Sequence, residues 1–380
     1  MTGPVSRPAG SDASLRVGDE REVEVGAVAH GGHFIAHSDG RTLFVRHAIT
    51  GERARVRITE VSSKVVRADA VEILDASTDR VPAPCAWAHP GGCGGCDFQH
   101  ISLPAQRSFK TKVLTDSLKR FGRLGHAQIE ALGIQVVELP GHPDGLHWRT
   151  RMRWATGSGG RIGLRAHRSH EIVPVDRCLI AAEGIDVPGR APVGKTVHQV
   201  RDRRWRLGSE DFWQVHASLP AALVDAVLEF GAPRPGQAWW DLYSGAGLFA
   251  AFLGESVGAD GRIDAVESSD HGTRVARRAL HDLGQVRLHT SDVSAWIDAV
   301  DHVAPDGIVL DPPRTGAGRS VVSAIAGAEV PTIVYVACDP VALGRDIATF
   351  AEHGYRLSGV RAFDAFPMTH HLETVALLSR

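Results

Sequence analysis

The stretch Ala238-Trp-Trp-Asp-Leu-Tyr-Ser-Gly-Ala-Gly-Leu248 decides the fold of the C-terminal half of this chain. An apolar run of strand length ends in acid and tyrosine, a Gly-x-Gly turn follows at Gly245 and Gly247, and an apolar helix pattern, LFAAFLGES, opens at Leu248. Downstream, runs suited to strands at 262–268, 286–291, 307–313 and 332–338 alternate with helical patterns at 270–283, 319–328 and 340–352. A hairpin-like pair, 355–363 and 372–379, closes the series, and a helix over 217–230 precedes it. Such alternation predicts a doubly wound, mostly parallel α/β sheet over residues 206–380. Sheets of that kind take ligands at the carboxyl ends of their strands.

Several residues fall at those strand ends. Gly245 and Gly247 allow close backbone approach to a ligand, although a tight strand–helix turn without ligand has the same appearance. Glu267, 26 residues after Asp241, is placed to accept both hydroxyls of a ribose. The third glycine of the dinucleotide fingerprint is missing, which favours an adenosine cofactor other than NAD. Asp292 is a candidate for the adenine amino group, or simply a polar strand end. Asp311-Pro-Pro-Arg314 puts an acid in the crevice behind two strand-stopping prolines. Cys338 stands before the Asp-Pro start of a helix, a position expected to favour thiolate; the alternative is a core cysteine.

The chain has 380 residues, which is enough for two or three domains. Residues 1–14 are rich in Gly, Pro and Ser and are expected to be disordered. Residues 15–76 read as short alternating strands, the pattern of a small OB-like antiparallel β-barrel. A Pro-bearing linker, 76–84, leads to a central α+β segment, 85–205, with a cysteine loop, a helix over 103–124 and strands and turns over 134–205. That helix is a candidate to pack on the C-terminal domain. No apolar run reaches the ~18 residues of a membrane span and no leader-like apolar segment opens the chain, so a cytoplasmic protein is expected.

Five cysteines are too few, and odd in number, for a secreted disulfide framework. Cys85, Cys93 and Cys96 lie in one Gly-rich loop with Cys178 far downstream, and four thiolates of this kind suit zinc or an iron–sulfur centre. Residues 101–210 carry 19 Lys+Arg against 10 Asp+Glu, while the whole chain has a net charge of −2. The run His147-Trp-Arg149-Thr-Arg151-Met-Arg153-Trp, read as a strand, puts Arg149, Arg151 and Arg153 on one face beside tryptophans. That arrangement suits RNA phosphates and bases, or an ordinary solvated face.

Taken together, these motifs resemble the S-adenosylmethionine-dependent RNA uracil-5 methyltransferases, in particular the 23S rRNA branch with an N-terminal TRAM domain, over about residues 15–380. The resemblance implies a multi-domain chain: a TRAM barrel, a central iron–sulfur domain and a class I methyltransferase domain. It rests on CGGCDFQH, SHEIVPVDRC, Phe212-Trp-Gln214-Val, DLYSGAGLF, YVACDP and HHLETVALL. It implies a 4Fe-4S cluster on Cys85, Cys93, Cys96 and Cys178, and S-adenosylmethionine contacts from Gln214, Tyr243, Glu267 and Asp311. It also implies Cys338 as nucleophile toward carbon 6 of uracil and Glu373 as base. Gln214 and Asp311 either face the uracil or hold the cofactor. Three departures stand out: Leu248 in place of a common Asn, a seven-residue gap after Cys85, and the second proline of DPPR. The expected partner is RNA, rRNA ahead of tRNA, with a monomeric enzyme. The rivals are a tRNA uridine-5 enzyme, cytosine-5 methylation, and a non-catalytic RNA-binding iron–sulfur protein. Cys338 is the sole cysteine in 179–380, which disfavours the two-cysteine cytosine enzymes.

Overall fold

The computed structural model describes residues 15–187, 195–208, 211–299 and 304–380. The disorder expected for 1–14 lies outside the described residues. The chain divides into two compact units after Arg80, so the central segment shares a unit with the C-terminal sheet.

In the first unit six strands form one sheet: β1 (Glu20–Glu24), β2 (Val28–Ala29), β3 (His33–Ser38), β4 (Arg41–Arg46), β5 (Arg53–Val61) and β6 (Val66–Asp75). Their order is β1-β5-β6-β4-β3-β2, so the two outer strands are consecutive in sequence. The chain bends between them at Gly26, whose N–H donates to the Ile35 carbonyl at 2.6 Å. A Cβ there would stand 3.0 Å from that oxygen. Alternate residues point inward and pack Phe34, Leu43, Val45, Ala54, Val56, Ile58 and Val66 at 0–1% exposure. Ala54, Val56 and Ile58 face in while Arg53, Arg55 and Arg57 face out, as the period of two requires.

The second unit opens with α1 (Leu103–Arg120), α2 (His126–Ala131) and β7 (Val136–Glu138). Short strands β8 (Ala155–Thr156), β9 (Ile162–Arg165) and β10 (Ile172–Val173) make a small sheet, and β11 (Thr196–Val200) pairs with β12 (Arg203–Leu207). Then follow α3 (Leu219–Gly231), β13 (Ala238–Leu242), α4 (Leu248–Val257), β14 (Arg262–Glu267), α5 (Asp270–Ala279) and β15 (Val286–Thr290). The series ends with α6 (Val293–Asp298), β16 (Gly307–Leu310), α7 (Gly318–Gly327), β17 (Thr332–Ala337), α8 (Pro340–Glu352), β18 (Arg356–Asp364) and β19 (Glu373–Ser379).

The large sheet has the order β15-β14-β13-β16-β17-β19-β18-β7. The neighbours from β15 to β17 are parallel, while β19 runs antiparallel between β17 and β18. Neighbouring positions of β13 serve opposite faces. Trp239 joins a core with Leu219, Phe249 and Phe252, and Trp240 joins one with Leu114, Leu343 and Phe350. Trp239 lies so close to its neighbours that a Cβ on Gly307 would stand 2.3 Å from the indole, and one on Gly231 2.8 Å. Helix α1 packs into the second of these cores through Leu114 and Leu118. No helix among the described residues is long and apolar enough to cross a membrane.

One sequence expectation is corrected here. Residues 147–153 form no regular strand; Arg149 alone makes isolated bridges, to Ala181 and to His216. The cause is competition from two sides, since Arg149 N–H donates to Ile180 and Thr150 N–H to Val215. The three arginines therefore do not line one strand face. Arg149 and Arg153 border the cysteine cavity, whereas Arg151 donates to the Asp211 carbonyl at 3.0 Å.

Candidate active site

Parallel strands deliver their last residues to one edge of a sheet, and an antiparallel strand delivers its first residue there. Strands β13, β14, β16 and β17 therefore bring Tyr243, Glu267, Asp311 and Cys338 to the edge at which β19 begins with Glu373. The register fixes this, with Ala337 opposite Thr374 and Phe363 opposite Glu373.

On the β13–α4 side the turn is strained. Tyr243 has φ 63°, Gly245 φ 53° and Gly247 φ 79°. A left-handed tyrosine is uncommon, and such residues concentrate at binding sites. Glu267 accepts from Gly245 N–H at 3.0 Å and from Ser269 N–H at 2.7 Å, so the ribose candidate also pins the glycine turn. Asp241 is fully buried. One oxygen accepts from Ala250 N–H at 2.8 Å, and the other has no hydrogen-bond partner. Burial, with Asp311 and Glu267 adding like charge, pushes its pKa up to about 8. This turn fits an adenosine cofactor: Glu267 stands at the end of β14 beside glycines in the left-handed region, and Asp241 keeps one buried oxygen without a partner among the described residues.

Asp292 caps α6, its Oδ1 accepting from Ala295 N–H at 3.1 Å. Its charge is felt at Tyr243, whose phenol burial pushes up to about 12. Leu248 is buried at the start of α4, in the core with Leu280 and Ala276, so its side chain serves packing. Gln214 is half-buried beside Trp213, which packs on Trp205 at 5.2 Å. Among the described residues no recorded interaction joins Gln214 to Asp311 or Glu373.

On the β16–β17–β19 side, Asp311 and Arg314 act with opposite sign on Cys338 and Glu373. Glu373 is 3% exposed; burial raises its pKa well above the ordinary value, Asp311 raises it further, and Arg314 opposes both. Burial pushes Asp311 up to about 7. Burial also pushes the Cys338 thiol up to about 12, with Glu373, Asp311 and Asp339 raising it and Arg314 lowering it. The thiolate expected from the helix start is thus overturned. Asp339 occupies the N-cap, taking Val341 and Ala342 N–H at 3.0 and 2.8 Å, and the carboxylates outweigh the helix dipole.

Arg314 was visible in the DPPR motif but not its role as the cation of this group. Asp346 also escaped the sequence. It accepts from Tyr335 OH at 2.6 Å and from Ala317 N–H at 2.8 Å, anchoring the loop that carries Asp311 and Arg314.

A second cavity, of about 680 Å³, is lined by all four of Cys85, Cys93, Cys96 and Cys178, with Trp87, Arg149 and Trp154 among its walls. Burial raises the Cys93, Cys96 and Cys178 thiols; charge on Cys178 raises the other two, and Arg149 lowers Cys93 and Cys178. Among the described residues no three His, Cys, Asp or Glu side chains are grouped to hold a metal ion.

Comparison with known proteins agrees with this layout. The family described as tRNA (Uracil-5-)-methyltransferase matches residues 294–380, and the TRAM domain matches 15–71. A Streptomyces coelicolor protein described as an uncharacterized RNA methyltransferase is 41% identical, over 98% of this chain and 95% of its own length. The 23S rRNA (uracil(1939)-C(5))-methyltransferase RlmD of Chromohalobacter salexigens is 30% identical, over 93% of this chain and 88% of its own. In fold, the chain is similar to the crystal structure of Pyrococcus abyssi tRNA (uracil-54, C5)-methyltransferase in complex with S-adenosyl-L-homocysteine. The TM-score is 0.68 at 20% identity, covering 94% of this chain and all of the other.

Proposed function

Because the chain belongs to the RNA uracil-5 methyltransferase family, with a TRAM domain and an S-adenosylmethionine-dependent fold, we propose that it methylates carbon 5 of a uridine in 23S rRNA through a covalent cysteine adduct. The arrival of Cys338, Glu373 and Asp311 at one sheet edge, with Arg314 lowering the pKa of the first two, supports this reading, for it groups a thiol, a buried base and a balancing cation.

Glu267, Gly245 and Gly247 hold the nucleoside of the cofactor, Tyr243 and Asp292 border it, and Asp311 and Gln214 stand between cofactor and base. The Cys338 sulfur forms a bond to carbon 6 of uracil. The π pair moves to O4 as an enolate, and the thiol proton passes to a neighbouring carboxylate other than Glu373, which stays ionised to serve as base. When bound, S-adenosylmethionine would supply an electrophilic methyl group on a cationic sulfur; the enolate pair would return from O4 to form the carbon 5–methyl bond, with S-adenosylhomocysteine as the leaving group. Glu373 then removes the carbon 5 proton, the electron pair restores the carbon 5–carbon 6 bond, and the sulfur leaves. A stacked uridine must be extruded to reach this depth. The TRAM domain bears on the surrounding RNA.

For the second cavity we propose a 4Fe-4S cluster on Cys85, Cys93, Cys96 and Cys178. All four sulfurs line a single cavity, which suits a cluster held by four thiolates, and Arg149 in its wall would offset their negative charge. A lone zinc draws its four sulfurs to within about 4 Å of each other, given bonds of about 2.3 Å. Anaerobically purified protein is expected to be brown with about four irons per chain. Colourless protein holding one zinc overturns the cluster.

The test of the reaction uses transcribed 23S rRNA fragments and tRNA with methyl-labelled cofactor. Wild type is expected to label rRNA at uridine; labelling of tRNA alone moves the substrate to tRNA. Glu373→Gln is expected to accumulate a labelled protein–RNA adduct stable on denaturing gels, and Cys338→Ala to form none. Normal turnover by either variant removes that residue from the mechanism.

A further inference from the structure

The turn between β18 and β19, residues 365–372, ends at Glu373 and is held from the cysteine loop. Asp97, directly after Cys96, is 8% exposed. Its Oδ2 accepts from the His370 ring Nδ1 at 2.6 Å and from His370 N–H at 3.4 Å. Its own N–H and that of Phe98 both donate to the Met368 carbonyl at 3.0 Å. Gln106, fully buried, accepts from Met368 N–H at 2.8 Å and donates to the carbonyls of Phe98 and Ile101 at 3.1 and 2.9 Å. Lys110, 1% exposed, donates to Asp364 at 2.5 Å and to the Phe366 carbonyl at 3.0 Å. Beyond the clamp, His370 lies against His371 with ring centroids 4.0 Å apart, and His371 feels the charge of Arg314. Arg314 in turn opposes the charges at Glu373 and Cys338.

Within the turn, Thr369 N–H and hydroxyl donate to the Phe366 carbonyl and His371 N–H donates to the Thr369 hydroxyl; outside partners hold Met368 and His370. The partners of Met368 and His370 are Asp97 and Phe98, directly after Cys96, together with Gln106 of α1. We propose that Asp97 is a positioning residue for Glu373: through His370 and the Met368 carbonyl it fixes the turn that brings the base to Cys338. The proposal rests on the reading that Glu373 takes the carbon 5 proton. It adds that the hold on Cys96 is transmitted to that proton transfer. Asp97 touches no reacting atom in this scheme, and the methyl-transfer step itself does not depend on it.

The experiment compares Asp97→Ala, Asp97→Asn and His370→Ala with wild type and Glu373→Gln, all as full chains with iron content measured. In single turnover Asp97→Ala and His370→Ala are expected to attach methyl label to RNA within about threefold of the wild-type rate. Both are expected to release the adduct at least about tenfold more slowly. Asp97→Asn keeps an acceptor for His370 and is expected to restore release to within about threefold of wild type. Hydrogen exchange of amides 366–373 is expected to speed up at least about tenfold in the two alanine variants. Equal slowing of methyl attachment and release, or unchanged exchange in the turn, overturns the proposal. If Glu373→Gln itself accumulates no adduct while wild type turns over, the base assignment fails, and the exchange arm alone still decides whether Asp97 clamps the turn. His370→Ala breaks the same bond without altering the cysteine loop, so a folding defect confined to Asp97→Ala leaves the test intact.

Discussion

On the barrel, Arg55 stands between Glu72 at 2.5 Å and Glu22 at 3.5 Å, and Arg57 faces Glu20 at 2.8 Å, all in solvent. In the crevice, Asp241 and Glu373 are buried beside other carboxylates, and Arg314 is the cation set against Glu373 and Cys338. These surface charges are matched across neighbouring strands, and each such pair is worth little because water screens it. The crevice buries carboxyl groups side by side, which raises their pKa values and costs stability, and such sites are retained where binding or a proton transfer uses them. Charge density therefore says less about function than titratable groups that are desolvated and unmatched.

The largest way to break this contrast is Cys338→Ala. Methyl transfer is expected to fall on the order of 10⁴-fold or more, because the nucleophile of a covalent route is gone. The melting temperature is expected to stay the same or rise, since no structural bond of the thiol is lost. A fall in melting temperature of several degrees with activity retained would make Cys338 a packing residue.

Next in size is Asp241→Asn. The unfolded carboxyl ionises near 4 and the folded one at about 8. Between those values the unfolded chain binds fewer protons, so this group makes stability fall as pH rises, by at most about 1.4 kcal/mol per unit. Its contribution is fully present below about 4 and constant again above 8. The variant lacks the slope, so its advantage in urea midpoint is expected to grow from pH 5 to pH 8. Parallel curves would show Asp241 ionised in the native protein at low pH.

Glu267→Ala is expected to raise the dissociation constant of S-adenosylmethionine at least about tenfold, since charge-assisted hydrogen bonds contribute roughly 1.5–3 kcal/mol each. The Gly245 turn loses its anchor at the same time. Titration calorimetry reads the change, and an unaltered constant puts the ribose acid elsewhere. Smallest of all, Arg55→Ala on the barrel is expected to shift stability by no more than about 1 kcal/mol, and less in high salt. A larger, salt-insensitive loss would mean that the barrel's surface pairs act as a network.

The alternation from β13 to α8 was legible because each element carries its own period: Trp239 and Trp240 serve opposite faces, and Gly245 and Gly247 mark the turn. Likewise the strand ends fixed Glu267, Asp311 and Cys338 near one edge. The protonation of Cys338 was not legible. It depends on Glu373 and Asp311, which arrive from residues 35 and 27 positions away through sheet order. The insertion of β19 between β17 and β18 is likewise long-range. Asp292 carried an ambiguous signal, since a polar strand end and a helix cap are the same residue types. The arginine run failed as a strand because Arg149 bridges partners 32 and 67 residues away, which no local pattern encodes.

The close seating of Trp239 over Gly307 and Gly231 has a consequence for how this fold can evolve. Alanine at 307 has no room while the indole is present, and a smaller residue at 239 leaves a void between strand and helix. The order of mutation therefore matters: each single step across this lock passes through a less stable chain, and only a paired change restores it. A sequence that keeps this sheet but carries a side chain at 307 is expected to have given up the tryptophan at 239, a sign-epistatic coupling that can be looked for wherever the two strands pair in the same register.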